Sequence, residues 1–154
     1  MPTKKMEISD TEISFVLSKR SWNFIKQYLS DAKVILDIGC GNGTLLYNLK
    51  KESDGIIVGL DSSKKRVKRA KKLVPSSEII CADALKSPLL SNVVNIITST
   101  MFIEHVDDSA FIKEAKASSY GWGGFLFCLR LLKKEALCGF MRILRGNGSL
   151  ILVI

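Results

Sequence analysis

The first thirty residues carry apolar side chains at helical intervals: Phe15, Val16, Trp22, Phe24, Ile25, Tyr28 and Leu29. That spacing predicts one or two helices with an apolar face. From residue 33 the pattern changes, and short continuous apolar runs alternate with stretches of helical period. The runs predict strands at 33–38, 55–60, 77–81 and 93–99, and the periodic stretches predict helices at 44–52 and 63–73. Val34, Ile35, Leu36 and Ile38 suit a strand buried on both faces. Leu45, Leu46 and Leu49 turn one helix face inward, and Val67, Ala70 and Val74 do the same in the next. Such alternation implies an α/β fold, a mostly parallel sheet with helices on both faces. At 154 residues one domain is expected, with an N-terminal helical cap over 1–30 and the sheet domain over 31–154.

The chemistry gathers where the first strand ends. Asp37 is followed by Ile38 and then by Gly39-Cys40-Gly41-Asn42-Gly43, after which a helix begins near Thr44. Glycines at alternate positions allow positive φ and close approach of backbone to a ligand. A dinucleotide loop would read G-x-G-x-x-G and seat a pyrophosphate on the helix N-terminus. Here the third glycine comes one residue early, and Thr44 stands where that pattern needs glycine. Asp37 would also repel a pyrophosphate. S-adenosylmethionine fits better: it has no phosphate, and its methionine end carries an ammonium and a cationic sulfur.

Two further strand ends carry acids. The second strand ends at Asp61, about twenty residues past the loop, where a carboxylate can accept from ribose hydroxyls. The third ends at Ala82-Asp83-Ala84, where Asp83 can face an adenine amino group. In an open parallel sheet, ligands bind at the carboxyl ends of the strands. The plainer alternative is that these acids cap the helices that follow them.

VILDIGCGNGTLL, IIVGLDSS, IICADALKSPL and NIITSTMFIEHVDD together resemble a class I S-adenosylmethionine-dependent methyltransferase of the methyltransferase-11-like kind. The resemblance covers roughly residues 30 to 115. It implies a Rossmann-like sheet and S-adenosyl-L-methionine as cofactor. It assigns cofactor binding to Asp37, Gly39, Cys40, Gly41, Asn42, Gly43, Asp61, Ser62, Asp83, Ala84, Ser99 and Thr100. Asp37 would hold the ammonium and Asp61 the ribose, with Ser99 and Thr100 near the methionine moiety. The family places the segment Ser99–His105 beside the methyl group and the acceptor entrance. His105, the one histidine, is the candidate general base there, or else it holds the loop by hydrogen bonds. The N-terminal segment often lies over the cofactor in this family. Arg20 can reach the methionine carboxylate, whereas Trp22 and Tyr28 read as packing residues. Asn95 departs from the family, which often has an acid at that point. No metal ligand set is implied.

Net charge of +8 raises the question of nucleic acid. Seven of the cations lie together: Lys64, Lys65, Arg66, Lys68, Arg69, Lys71 and Lys72. They form the outer side of an amphipathic helix, either a solvated face or a phosphate-contacting patch. No aromatic residue interleaves with them, which weakens a single-strand-binding reading. Four cysteines without C-x-x-C spacing suggest reduced thiols in a cytoplasmic protein. The start of the chain shows no signal-peptide pattern, and the longest apolar run, Phe125 to Leu132, is too short for a membrane span and is broken by Arg130.

The last forty residues fit the family poorly. It expects a helix ending in R-V-L-x-P-G-G, a fifth strand, and two strands more. Spacing puts the glycine pair at Gly123-Gly124, with Phe125-Leu126-Phe127 as the fifth strand. Local pattern puts it at Arg142–Gly148, with the strand at 149–154. Codons can be chosen so that 117–123, shifted by one base, spell the missing motif, and 141–154 shifted the other way spell a plausible continuation. A sheet lacking the last strands of the usual seven is therefore expected, with an exposed edge and association of copies through it.

The leading expectation is an enzyme: an S-adenosylmethionine-dependent methyltransferase acting on a small or medium-sized acceptor. An RNA or protein methyltransferase using the basic 64–72 helix is a second reading, and a non-catalytic S-adenosylmethionine-binding subunit is a third. Absence of N/D-P-P-Y/F after the fourth strand argues against amino methylation of that type. Absence of a Pro-Cys pair argues against the covalent route to C5 of pyrimidines. A nicotinamide dehydrogenase fits least.

Overall fold

The computed structural model describes residues 19–86, 93–100, 107, 109–110, 113, 125–129, 142–146 and 149–153. Within them the chain runs α1 (Lys19–Lys26), β1 (Val34–Ile38), α2 (Thr44–Glu52), β2 (Ile56–Asp61), α3 (Lys64–Leu73), β3 (Glu78–Cys81), a 3-10 turn (Ala84–Lys86) and β4 (Ile96–Thr100). Three strands follow: β5 (Phe125–Leu129), β6 (Arg142–Gly146) and β7 (Ser149–Val153). They form one sheet in the order β3-β2-β1-β4-β5-β7-β6. All neighbours are parallel except β6 and β7, which pair antiparallel.

β1 lies at the heart of this order and is buried on both sides, as its apolar run predicts. Ile35 joins Ile57, Ile79 and Ile96 in a core under Ile25 of α1, Leu45, Leu46 and Leu49 of α2, and Val67 and Ala70 of α3. The alternate positions Leu36, Ile38, Leu60 and Ile97 are also buried, so the opposite face of the sheet is covered as well. Fully burying a side chain of this size contributes about 1.5–3 kcal/mol.

Asn95 fixes where β1 and β4 begin. Its Oδ1 accepts from the backbone N–H groups of Lys33 and Val34, at 3.0 and 2.9 Å. Its own N–H donates to the Val34 carbonyl at 2.9 Å. Two converging donors require an acceptor oxygen, which an amide supplies as well as a carboxylate does. That accounts for the departure at this position in structural terms.

Glycines set the spacing between layers. A Cβ on Gly55 would run into the Ala32 carbonyl, and one on Gly59 would stand 2.6 Å from Leu46 Cδ1 and 3.0 Å from Cys40 Sγ. A side chain at Gly59 would push β2 from α2 and the glycine loop, and one at Gly55 would push the start of β2 from the segment leading into β1.

α3 is held by packing, not by its charges. Ser63 caps it, accepting from the Arg66 N–H at 3.4 Å, and Val67 and Ala70 are buried. Lys64, Lys65 and Arg66 sit at the end where the helix dipole disfavours cations. Like charges repeat four residues apart, at Lys64/Lys68, Lys65/Arg69 and Lys68/Lys72. Each such pair costs about 0.2–0.5 kcal/mol in an isolated helix.

Two expectations about the C-terminal part change. Phe125–Leu129 pairs in parallel with β4, so spacing identified the fifth strand correctly. The sheet, however, is not short of strands. Residues 142–146 and 149–153 form a hairpin whose register brings Gly146 opposite Ser149, and β7 of that hairpin pairs with β5. The physical reason is Asn147-Gly148 between two aliphatic runs, a two-residue hairpin signal that outweighs the helix-ending pattern of Arg142–Gly148. The edge expected beside β5 is thereby filled, and the edge strands are β3 and β6. Of the cap expected over 1–30, α1 is present. Residues 1–18, 117–123 and His105 lie outside the described residues, as does the Arg20 side chain.

Candidate functional site

The carboxyl ends of β1, β2, β3 and β4 lie side by side. Asp37 is opposite Gly59 on one neighbour and Thr98 on the other, and Asp61 is opposite Cys81. The chain leaves β1 through Gly39, Gly41 and Gly43, with φ of 75°, 57° and 90°. Two of these have distinct reasons. Gly41 places its N–H on Asp61. Gly43 stands where a Cβ would press on Ala70 at 3.0 Å, so α2 begins directly against α3. The Gly39 and Cys40 N–H groups both donate to the Leu60 carbonyl, at 2.7 and 3.0 Å, which ties the loop to β2.

Asp61 is the latch of this loop. Its Oδ2 accepts from the Gly41 N–H at 3.0 Å and its Oδ1 from the Ser63 N–H at 2.8 Å. Arg66 approaches Oδ2 at 3.7 Å from a largely exposed side chain. A carboxylate has about four lone-pair sites, so one remains for an incoming hydroxyl. Asp61 therefore organises the loop, and a ribose would share it with the backbone.

Asp37 is different. It is 1% exposed; Oδ1 accepts from Thr98 Oγ1 at 2.9 Å, while Oδ2 has no partner among the described residues. Burial, with the nearby Asp61 charge adding to it against the Thr98 hydrogen bond, raises its pKa to about 7. Ser99 Oγ, one residue past Thr98 in β4 and so on the other side of the sheet, is also buried with no partner among the described residues. A buried acceptor left open calls for a donor, and next to a second carboxylate it calls for a cation. An ammonium supplies both. The methionine end of S-adenosylmethionine thus fits these residues, and a pyrophosphate does not.

Of the remaining expected residues, Asp83 is exposed and its Oδ1 accepts from the Leu85 N–H at 2.9 Å, capping the 3-10 turn as the plainer alternative foresaw. Ala84, the first residue of that turn, is buried. Asn42 and Ser62 are exposed beside the loop and β2. Cys40 is buried under Gly59, where burial, then Asp37 and Asp61, push its thiol well above the ordinary range. Thr100 ends β4, with its side chain outside the described residues. The structure brings Asp37, the glycine loop and Asp61 together, while Ser99, next to Thr98 in β4, faces the other side of the sheet from Asp37. Sequence reasoning missed Thr98 and Gly59. Thr98 was visible as a hydroxyl in an otherwise apolar strand, and Gly59 as a glycine inside one. No group of three or more His, Cys, Asp or Glu suited to a metal occurs among the described residues.

Residues 36–118, more than half of the chain, match the profile of a family described as a methyltransferase domain. The chain belongs to this family. Among curated proteins it is similar to the carboxy-S-adenosyl-L-methionine synthase of Nautilia profundicola, 29% identical over 73% of this chain and 51% of that protein. It is also similar to the ubiquinone biosynthesis O-methyltransferase of Hydrogenovibrio crunogenus, 31% identical over 68% of this chain and 45% of that one. The methyltransferase domain thus spans about half the length of the curated relatives it matches. Among solved structures it resembles a protein of Methanococcus maripaludis described as a candidate S-adenosyl-L-methionine-dependent methyltransferase. That likeness has TM-score 0.61 and 25% identity, and it covers 80% of this chain and 64% of that one.

Proposed function

We propose that this methyltransferase domain binds S-adenosyl-L-methionine at the ends of β1, β2 and β4 and transfers its methyl group to a small or medium-sized acceptor. The observation that carries the reading is the open Oδ2 of buried Asp37 beside a three-glycine loop. Both curated relatives, by their names, belong to S-adenosylmethionine or methyl-transfer chemistry. When bound, the donor supplies an activated methyl group on a sulfonium. The protein's own part is position and orientation. Asp37 receives the ammonium, Gly39–Gly43 shape the walls around the methionine end with Ser99 and Thr100 near that moiety, and Asp61 with Ser62 meets the ribose. Asp83 and Ala84 border the adenine. His105, outside the described residues, is the candidate base for an acceptor that must lose a proton.

No helix among the described residues is long and apolar enough to cross a membrane. We take the protein to work in the cytoplasm, a reading supported by the free thiols of Cys40 and Cys81. The open edge behind the expected association is filled by β7, so association through a sheet edge would use β3 or β6. A non-catalytic subunit needing a partner is the alternative if donor binding occurs without turnover.

The test is a thermal melt with and without excess S-adenosylhomocysteine. At about 100 times its dissociation constant a ligand adds roughly 2.7 kcal/mol of stability, a rise of several degrees. A cooperative transition that does not move would overturn the donor assignment.

A further inference from the structure

α3 carries a charge distribution that the methyl-donor site does not use. On a helical projection with 100° per residue, Lys64, Lys65, Lys68, Arg69 and Lys72 fall within an arc of about 140°. That arc is centred opposite the buried Val67, Ala70 and Val74. All five are exposed, and the helix holds no acid. Arg66 and Lys71 flank the arc, and of the seven cations only Arg66 has an ion-pair partner among the described residues. Without these seven the chain would carry sixteen basic and fifteen acidic side chains, so nearly all of its surplus charge stands on one ten-residue helix.

We propose that the outer face of α3 is a docking strip for the phosphate backbone of double-stranded RNA. Charge complementarity selects a polyanion. The apolar residues of α3 are committed to the core, so the helix cannot lay an apolar side into a bilayer, which sets it apart from an amphipathic membrane anchor. No aromatic side chain lies within 64–73 for bases to stack on, which disfavours single strands. A helix of ten residues is about 15 Å long and, with side chains, about 10–12 Å wide. A-form RNA has a deep, narrow major groove, so phosphates of both strands lie close across it, within reach of one arc of cations. Contact is therefore to backbone alone, independent of sequence. The strip is separate from Asp37 and the glycine loop, so its occupation does not depend on the donor.

The experiment is fluorescence anisotropy of the full chain with labelled RNA duplexes of about 20 base pairs, without S-adenosylmethionine, titrated over salt concentration. Binding in the micromolar range is expected, with log affinity falling against log salt at a slope of about −3 to −4, near −0.9 for each phosphate contacted. The variant Lys68→Gln/Arg69→Gln/Lys72→Gln is expected to make that slope shallower by about 2 to 3. The same charge change at Lys33→Gln/Lys51→Gln/Lys113→Gln is expected to leave most of it. Melting of each variant is followed in parallel; the α3 variant relieves like-charge repulsion and is expected to melt no lower than the native chain. No binding at about 50 mM salt would overturn the proposal. So would equal losses in the two variants, or stronger binding to anionic phosphatidylserine vesicles, to single-stranded RNA or to duplex DNA.

Discussion

Asp37 and Asp61 end neighbouring parallel strands, lie on the same side of the sheet and are both buried, yet they do opposite things. Asp61 is largely engaged within the protein: two backbone N–H groups and a guanidinium surround it, and about one lone-pair site stays open. Asp37 keeps one oxygen idle in the protein interior. The difference lies in what each strand end meets. After β2 the chain turns at once into α3, so the Ser63 N–H falls on Asp61, and the Gly41 N–H of the neighbouring loop falls there too. After β1 the glycine loop swings toward β2, and its Gly39 and Cys40 N–H groups go to the Leu60 carbonyl instead of to Asp37. One acid ties the loop to the helix that follows β2, and the other keeps an oxygen without a partner among the described residues.

The largest effect expected from separating these roles is on Asp61. Asp61→Ala should lose two hydrogen bonds to a charged group, each about 1.5–3 kcal/mol, and lower both stability and donor affinity. Urea denaturation and calorimetric titration with S-adenosylhomocysteine read the two. Unchanged stability would show that the latch does not hold the loop.

Asp37→Asn should act the other way on stability. The folded state holds a proton on Asp37 up to about pH 7, whereas a solvated aspartate carboxyl releases it near 3.8. Between those values the folded chain binds more protons than the unfolded one, so this group's contribution falls as pH rises from about 4 to 7 and is fully unfavourable above. Each pKa unit corresponds to about 1.4 kcal/mol, so the native chain should lose on the order of a few kcal/mol across that window. Asp37→Asn should flatten the curve and be the more stable protein at pH 8. Donor affinity should show the reverse: rising through pH 7 in the native chain, as the carboxylate ionises to meet the ammonium, and weak and flat in the variant. Chemical denaturation and donor titration across pH 5–8 check both.

Gly59→Ala tests the packing that both acids share, since its Cβ would press on Leu46 and Cys40. Overpacking of this kind costs about 1–3 kcal/mol, and the melting temperature should drop with little change in the pH profile. The smallest effect is expected at the exposed strand end. Asp83→Ala removes one exposed turn hydrogen bond, worth about 0.5–1.5 kcal/mol at most. Any larger fall in donor affinity would favour the adenine contact over the capping role.

The division of labour between the acids was only half legible in the sequence. Three acids at three strand ends, with the glycine spacing, were enough to point to the edge of the sheet where Asp37, the glycine loop and Asp61 lie side by side. Which acid would be satisfied internally was not, because it depends on where Gly41 and Ser63 aim their N–H groups, and that is set by turns and register. The first four strands were readable because continuous aliphatic runs can only be buried. The hairpin at 142–153 was misjudged for a physical reason too: Arg-Ile-Leu-Arg-Gly fits the last turn of a helix as well as it fits a strand, and only the Asn-Gly that follows separates the two. Thr98 escaped notice because a hydroxyl in a strand usually bonds locally, whereas here it reaches across to Asp37.

The Asn95 staple has a kinetic corollary. β1, β2 and β3 are joined by short crossovers and can assemble as each emerges, but β4 must return to β1 across some sixty residues. Closing a loop of that length costs chain entropy before the contact repays it. The two hydrogen bonds at Lys33 and Val34 are the first that a returning β4 can make with the start of β1. Asn95→Ala should therefore slow refolding in stopped-flow mixing, while Asn95→Asp, which keeps the acceptor, should refold at close to the native rate.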